Sequence, residues 1–401
     1  MKGTPLELFT RLVTAPERIV AGIMTGTSVD AVDVALVRIY GSDERLRIDL
    51  LHYSETLFAE ELQQRLFANM EVSSSNVNDL CLLHAALGYA FADAVREACS
   101  AADIDVSEVQ LVGMHGQTMR HLPEPMDLAG VPLRSTLQLG SAPILATLLG
   151  VPVVSDFRAG DMVLGGQGAP LVPRVDWLLF RSEEEHRVLL NIGGIANLTV
   201  LPQRCASHEV IAFDTGPGNM MVDSLMRRYY GKEFDEDGAI ARSGTVHNDL
   251  IGYMMRNEYF SRSYPKSTGR ELFGESYLDT FVQLARDLDI TRPEDIVATA
   301  SECTVRSICG QLHAVVPPTT PFHLFAAGGG ARNRFFMDGI KMNFPSARID
   351  TTSALGIPPE AREAVSFAVL ANEFITGNPG NLPSVTGASR EALLGSITFP
   401  A

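Results

Sequence analysis

Several things are scarce in this 401-residue chain. It has five cysteines, Cys81, Cys99, Cys205, Cys303 and Cys309, an odd number with no Cys-x-x-Cys pair. That usage fits a reducing cytoplasm with buried, unpaired thiols, and no Cys/His set has the spacing of a closed zinc site. No uninterrupted apolar run approaches the ~18 residues of a membrane-spanning helix. Glu7 and Arg11 interrupt the N-terminal apolar residues, so no secretory segment is read there. Basic residues are in deficit, 32 against 48 acidic, for a formal charge of −16. The balance argues against a nucleic-acid or anionic-membrane binder, while leaving room for a local basic pocket.

What is present is an α/β pattern. A hydrophobic fraction of 46% with 20% charged residues is that of a globular protein. The spacing predicts strands at 19–25, 32–39, 109–114, 151–155, 188–192, 195–201, 210–213 and 322–327. It predicts helices at 60–70, 78–101, 142–149, 220–230, from about 332, and at 360–375. Strand, glycine turn and strand recur at 19–39 and 188–201, so the chain reads as a repeat of pattern. The domains expected are a leader, 1–17, irregular or a surface helix, then 18–185 and 186–401. The last helix could pack back on the first domain, and Glu183-Glu184-Glu185 marks the junction.

The 34 glycines cluster at strand ends, where α/β proteins place ligands. The turn Gly26, Thr27, Ser28, Val29, Asp30, Ala31, Val32, Asp33 offers backbone N–H groups and two hydroxyls to a phosphate, and Asp30 and Asp33 suit Mg²⁺, directly or through water. A plain hairpin turn has the same composition. Gly193-Gly194 is its counterpart in the second half. Gly328-Gly329-Gly330 exposes bare backbone ahead of a helix start, more glycine than a structural turn requires. Asp214, in Asp214-Thr215-Gly216-Pro217-Gly218-Asn219, is placed for a general base or for a helix cap. Polar groups also follow the strands at His115, Gln117, Thr118, Asp156 and Arg158, and in the Gly165–Pro170 and Pro265–Glu271 loops. Arg158, Lys266 and Arg270 are candidate partners for an anionic substrate group.

Taken in order, these motifs resemble the 1,6-anhydro-N-acetylmuramic acid kinases of the sugar kinase/Hsp70/actin superfamily. The matching segments are Met24–Asp30, His115–Thr118, Val154–Arg158, Gly165–Pro173, Asn191–Gly194, Phe213–Asn219, Pro265–Glu271, Gly328–Ala331, and Gly356–Pro359 with Glu363. The resemblance implies two actin-like (ribonuclease H-like) domains, each a mixed sheet flanked by helices, around a central cleft. It implies ATP and Mg²⁺, an ATP site at Gly26–Asp33, Gly193-Gly194 and Gly328–Gly330, catalytic Asp214 and Glu363, and a homodimer. The implied reaction opens the anhydro bridge with water and phosphorylates O6. A kinase for another anhydro sugar such as levoglucosan is the near alternative, and an ATP-dependent chaperone or cytoskeletal subunit the distant one. Ala31 replaces the family's usual glycine and Val29 its usual leucine. Ala31 is therefore expected to narrow the loop by disfavouring a positive φ.

Overall fold

The two apolar segments flanking the first glycine turn pair antiparallel, as β1 (Glu17–Met24) and β2 (Ala31–Tyr40). β3 (Arg47–Leu57) extends the meander, and β4 (Val109–Met114) joins the other side of β1 in parallel. β5 (Gln117–Leu128) and β6 (Val131–Leu139) form a separate ribbon, and β7 (Val153–Ser155) runs parallel to β4. The short strand Ser396–Thr398 closes that edge. The structure is a computed structural model that describes residues 4–26, 28–317 and 319–401, with Glu271 described by its backbone alone.

This sheet belongs to the first of two compact units, the chain up to Leu179 together with Ala361–Ala401; the second is Phe180–Glu360. Helix Val77–Ala101 starts on the Asn76 side chain, which accepts from Asp79 N. It buries Leu83, Leu87, Phe91 and Val95 against Ile19, Ala21 and Ile23. Strand alternation turns Gly22 to the opposite face, which helix Arg362–Thr376 covers. The approach is close enough to require glycine. A Cβ on Gly22 would stand 1.9 Å from Ala364 O, and one on Gly113 would stand 2.1 Å from Phe367 O.

The leader is a helix, Pro5–Thr14, begun by a Thr4/Glu7 capping box and packed on helix Arg362–Thr376 with Leu8 and Leu12 buried. Arg18 ties it down, donating to Leu12 O (2.5 Å), Val13 O (3.0 Å) and Asn372 Oδ1 (3.1 Å).

The second unit repeats the design with β8 (His186–Ile192), β9 (Ile195–Leu201), β10 (Ile211–Pro217), β11 (Phe322–Ala327) and β12 (Arg348–Thr351). Its order, β10-β9-β8-β11-β12, matches β3-β2-β1-β4-β7: an antiparallel meander continued by parallel strands, the ribonuclease H-like order. Helix Pro293–Val315 packs behind it through residues such as Val297, Ala300 and Ile308. Among the described residues, no helix is long and apolar enough to cross a membrane.

Candidate active site

Each unit carries a group of candidate residues at the C-terminal ends of its central strands. In the first unit the turn after β1 is tied to the turn after β4. Thr25 Oγ1 donates to Gly116 O (3.1 Å) and Gln117 Nε2 to Gly26 O (3.2 Å). Thr27 lies outside the described residues. Ser28 and Asp30 are exposed, and Asp30 O accepts from Phe58 N.

The expectation for Ala31 is corrected. Ala31 is the first residue of β2, paired with Leu57, and needs no positive φ. The left-handed residue is Val29 (φ 56°), fully buried, a strained conformation for a β-branched side chain. Val32 is buried in the core of the first unit. Asp33 accepts from Tyr53 OH at 2.6 Å. Burial pushes its carboxyl up to about 6 against that bond, with Glu55, Glu363 and Asp30 adding to the rise.

Beyond β4, His115 is buried under Arg158. The guanidinium donates to His115 Nε2 from Nε (3.0 Å) and Nη2 (2.8 Å), and to Gly168 O from Nη1 (2.6 Å). Burial lowers the Arg158 pKa to about 10, still charged at neutral pH, and Glu363 and Asp161 oppose the shift. Burial and the Arg158 charge hold His115 well below 6.5. Gln117 Oε1 is buried without a hydrogen-bond partner. Thr118 accepts from Gln138 Nε2 (3.3 Å). Asp156 is exposed at φ 56°, with its carboxyl raised by desolvation.

Glu363 lies in the first turn of helix Arg362–Thr376. Its neighbour Arg362 is buried in a bidentate pair with Asp176, which anchors that end of the helix. Glu363 reaches solvent, yet the protein around it is dense enough to raise its carboxyl, with Arg362 and Arg158 pulling the other way.

In the second unit Asp214 sits where β10 slips register against β9, between Asp214 and Gly216. A bulge re-aims side chains, and this one is braced. Thr215 Oγ1 donates to Ala196 O (3.1 Å), Ser307 Oγ to Thr215 O (2.7 Å), Thr304 Oγ1 to Gly218 O (2.9 Å), and Tyr259 OH to Asp214 O (2.7 Å). Asp214 Oδ2 accepts from Thr268 N at 2.9 Å. The alternative role of helix cap does not apply: helix Met220–Tyr230 begins at Asn219 and has no side-chain cap.

Three glycine turns meet beside it. Gly218 N and Asn219 N donate to Gly194 O and Gly193 O, both at 2.8 Å. Gly328 (φ 77°) and Gly330 have packing reasons to lack a side chain, since their Cβ atoms would lie 2.6 Å from Asn191 Oδ1 and 2.3 Å from Ile192 Cγ2. Gly194 and Gly329 are exposed with room in front. The segment after Gly328 is a 3₁₀ turn, Gly329–Arg332. The α-helix begins later, at Arg334, because Asn333 caps it with bonds from Phe335 N and Phe336 N.

Lys266 is committed internally. It is 7% exposed, donates to Tyr259 O (3.1 Å) and lies over the Phe213 and Tyr259 rings. Burial lowers its pKa. Arg270, by contrast, is exposed. Sequence reading passed over Tyr53, Tyr259 and Asp161, which hold these groups in place; the only signal for Asp161 was the glycine cluster that follows it.

A family profile described as anhydro-N-acetylmuramic acid kinase matches residues 18–400. The chain belongs to this family. An anhydro-N-acetylmuramic acid kinase of Salinibacter ruber is 45% identical over 384 residues, covering 96% of each chain. One of Caldanaerobacter subterraneus subsp. tengcongensis is 38% identical, covering 97% of this chain and 99% of the relative. Among solved structures, the activator of a 2-hydroxyisocaproyl-CoA dehydratase from Clostridium difficile aligns over 90% of this chain and 96% of its own, at 11% identity and a TM-score of 0.43. The chain is thus a kinase, a transferase of sugar metabolism.

Proposed function

We propose that the enzyme opens the 1,6-anhydro bridge of 1,6-anhydro-N-acetylmuramic acid with water and passes the γ-phosphoryl of ATP to the released O6. The products are N-acetylmuramic acid 6-phosphate and ADP, which places the enzyme in cell-wall recycling. The observation that carries this reading is the braced bulge at Asp214. It presents one carboxylate on a rigid strand end beside turns of bare backbone, the arrangement a general base needs.

In this mechanism Asp214 takes a proton from water as the water oxygen bonds to C1. The C1–O6 bond breaks, its electron pair passes to O6, and O6 attacks the γ-phosphorus while ADP leaves. Gly194 and Gly329 offer open backbone to the phosphates, and Gly26 has room in front of it as well. Glu363, raised in pKa and next to the Arg158 charge, is suited to contact the sugar. Among the described residues no group of three or more His, Cys, Asp or Glu could hold a metal ion. Exposed Asp30 fits an ion that keeps most of its waters and binds phosphate, and bound Mg²⁺ would neutralise charge on the transferring phosphoryl.

The deciding assay is ADP release with ATP, Mg²⁺ and each of three acceptors: 1,6-anhydro-N-acetylmuramic acid, the same sugar without its lactyl group, and levoglucosan. The first is expected to be preferred. Preference for levoglucosan, or release that no sugar stimulates, would overturn the assignment.

A further inference from the structure

Asp161 is buried completely, in the short helix Ala159–Val163. A buried carboxylate persists only where hydrogen bonds fill its oxygens. Here Asn381 Nδ2 and Thr386 Oγ1 both donate to Oδ1 at 2.7 Å, and Gly168 N donates to Oδ2 at 2.8 Å. The main chain reinforces the set. Gly166 N donates to Asp161 O (3.0 Å), Gln167 N to Thr386 O (2.8 Å), and Ser389 N to Leu164 O (2.9 Å). The 164–168 loop is thus drawn onto one carboxylate and onto a C-terminal segment far away in sequence.

That explains the second glycine of Gly165-Gly166-Gln167-Gly168. A Cβ on Gly166 would stand 2.1 Å from Asp161 Oδ2. Gly168 has φ 70°, and its Cβ would stand 2.7 Å from Met162 Cγ. Close approach to Asp161 requires glycine at 166, and a positive φ against Met162 requires it at 168. What the loop presents in return is the Gly168 carbonyl, which accepts from Arg158 Nη1. Thr386 and Asn381 hold Asp161, Asp161 holds Gly168, and Gly168 with His115 fixes the plane of the Arg158 guanidinium.

We propose that Asp161 is a positioning residue for the acceptor sugar: through Gly168 it sets the guanidinium of Arg158 to receive the sugar's carboxylate. The inference rests on the anhydro-sugar reading above and deepens it. A planar guanidinium recognises a carboxylate by orientation, so a small tilt costs affinity for that group and little else.

The test compares Asp161→Asn, Thr386→Val and Thr386→Ser with the native enzyme. Asn at 161 points an N–H at Gly168 N or loses the Asn381 and Thr386 bonds. Thr386→Val removes one donor at constant shape, and Thr386→Ser keeps the hydroxyl. With Thr386→Val, KM for the carboxylated anhydro sugar should rise about tenfold, the scale of one hydrogen bond to a charged group. KM for ATP and for the sugar lacking its lactyl group should stay within about twofold. Amide exchange at 165–168 should quicken, Thr386→Ser should restore both that exchange and the KM for the carboxylated sugar, and Asp161→Asn should exceed Thr386→Val if it folds. Native turnover with a Thr386→Val loss shared equally by both sugars, or no loss, would overturn the role of Asp161 alone. No native turnover of either sugar would overturn the earlier reading, and this one with it.

Discussion

Arg158 donates twice to a single ring nitrogen of His115, from Nε at 3.0 Å and from Nη2 at 2.8 Å. Because a guanidinium only donates, His115 Nε2 must accept, so the imidazole is neutral with its proton on Nδ1. Protonation would set two cations against each other in a buried space. The unfolded chain has no such conflict and binds the proton near pH 6.5. Below that pH the unfolded state therefore holds more protons, and stability falls as pH falls, down to the depressed folded pKa. A single proton contributes at most about 1.4 kcal/mol per pH unit. His115→Asn keeps an acceptor and removes the proton. Urea midpoints from about pH 7 to about 5 should fall less steeply in the variant than in the native protein. Parallel slopes would contradict the neutral assignment.

Tyr53 limits how far Asp33 rises. Its hydroxyl stabilises the ionised carboxylate against burial and three acidic neighbours. Tyr53→Phe should move the Asp33 pKa above about 6. Since the folded value lies above the unfolded 3.8, Asp33 adds stability below 3.8 that is lost as pH rises through the folded pKa; the variant should carry that window upward. A carboxyl-carbon NMR titration checks it, and an unchanged or lower value would count against the hydrogen bond.

Gly329 and Gly330 separate ligand contact from packing. Gly329→Ala meets nothing nearer than Asn219 Nδ2 at 3.6 Å, so the protein should fold normally and lose nucleotide affinity. Gly330→Ala forces a Cβ to 2.3 Å from Ile192 Cγ2 and should cost about 1–3 kcal/mol of stability. Melting curves and KM for ATP distinguish the two. A Gly329→Ala enzyme with native KM would remove that glycine from the nucleotide site.

Asp214→Asn keeps the volume and loses the base. Turnover should fall about 10²–10⁴-fold while nucleotide affinity is nearly kept. The bulge is braced mainly through main-chain atoms of 214, 215 and 218, so the variant should melt close to the native protein. Near-native turnover would exclude Asp214 as the base.

Much of this is legible in the sequence. The repeated strand–turn–strand layout, helices 142–149 and 220–230, and the role of glycine at strand ends follow from local periodicity and turn chemistry. What stayed hidden depends on distance along the chain. Asp161 finds Asn381 and Thr386 across 220 and 225 residues, and no local pattern encodes such a pairing. The triple glycine looked like ligand chemistry throughout, but Gly328 and Gly330 are shaped by Ile192 and Asn191 of a neighbouring strand. Lys266 reads as a substrate cation in the sequence, but it is buried over the Tyr259 and Phe213 rings and donates to Tyr259 O. Ala31 departs from the family pattern, while the strained backbone lies two residues earlier at Val29.

The most direct test of the central claim is a single turnover in H₂¹⁸O with ATP, Mg²⁺ and 1,6-anhydro-N-acetylmuramic acid, followed by mass spectrometry of the sugar phosphate. Water attack at C1 with phosphorylation of the bridge oxygen predicts one ¹⁸O at the anomeric position and an unlabelled phosphate. Label in the phosphate, or a phosphorylated sugar with its anhydro bridge intact, would contradict it.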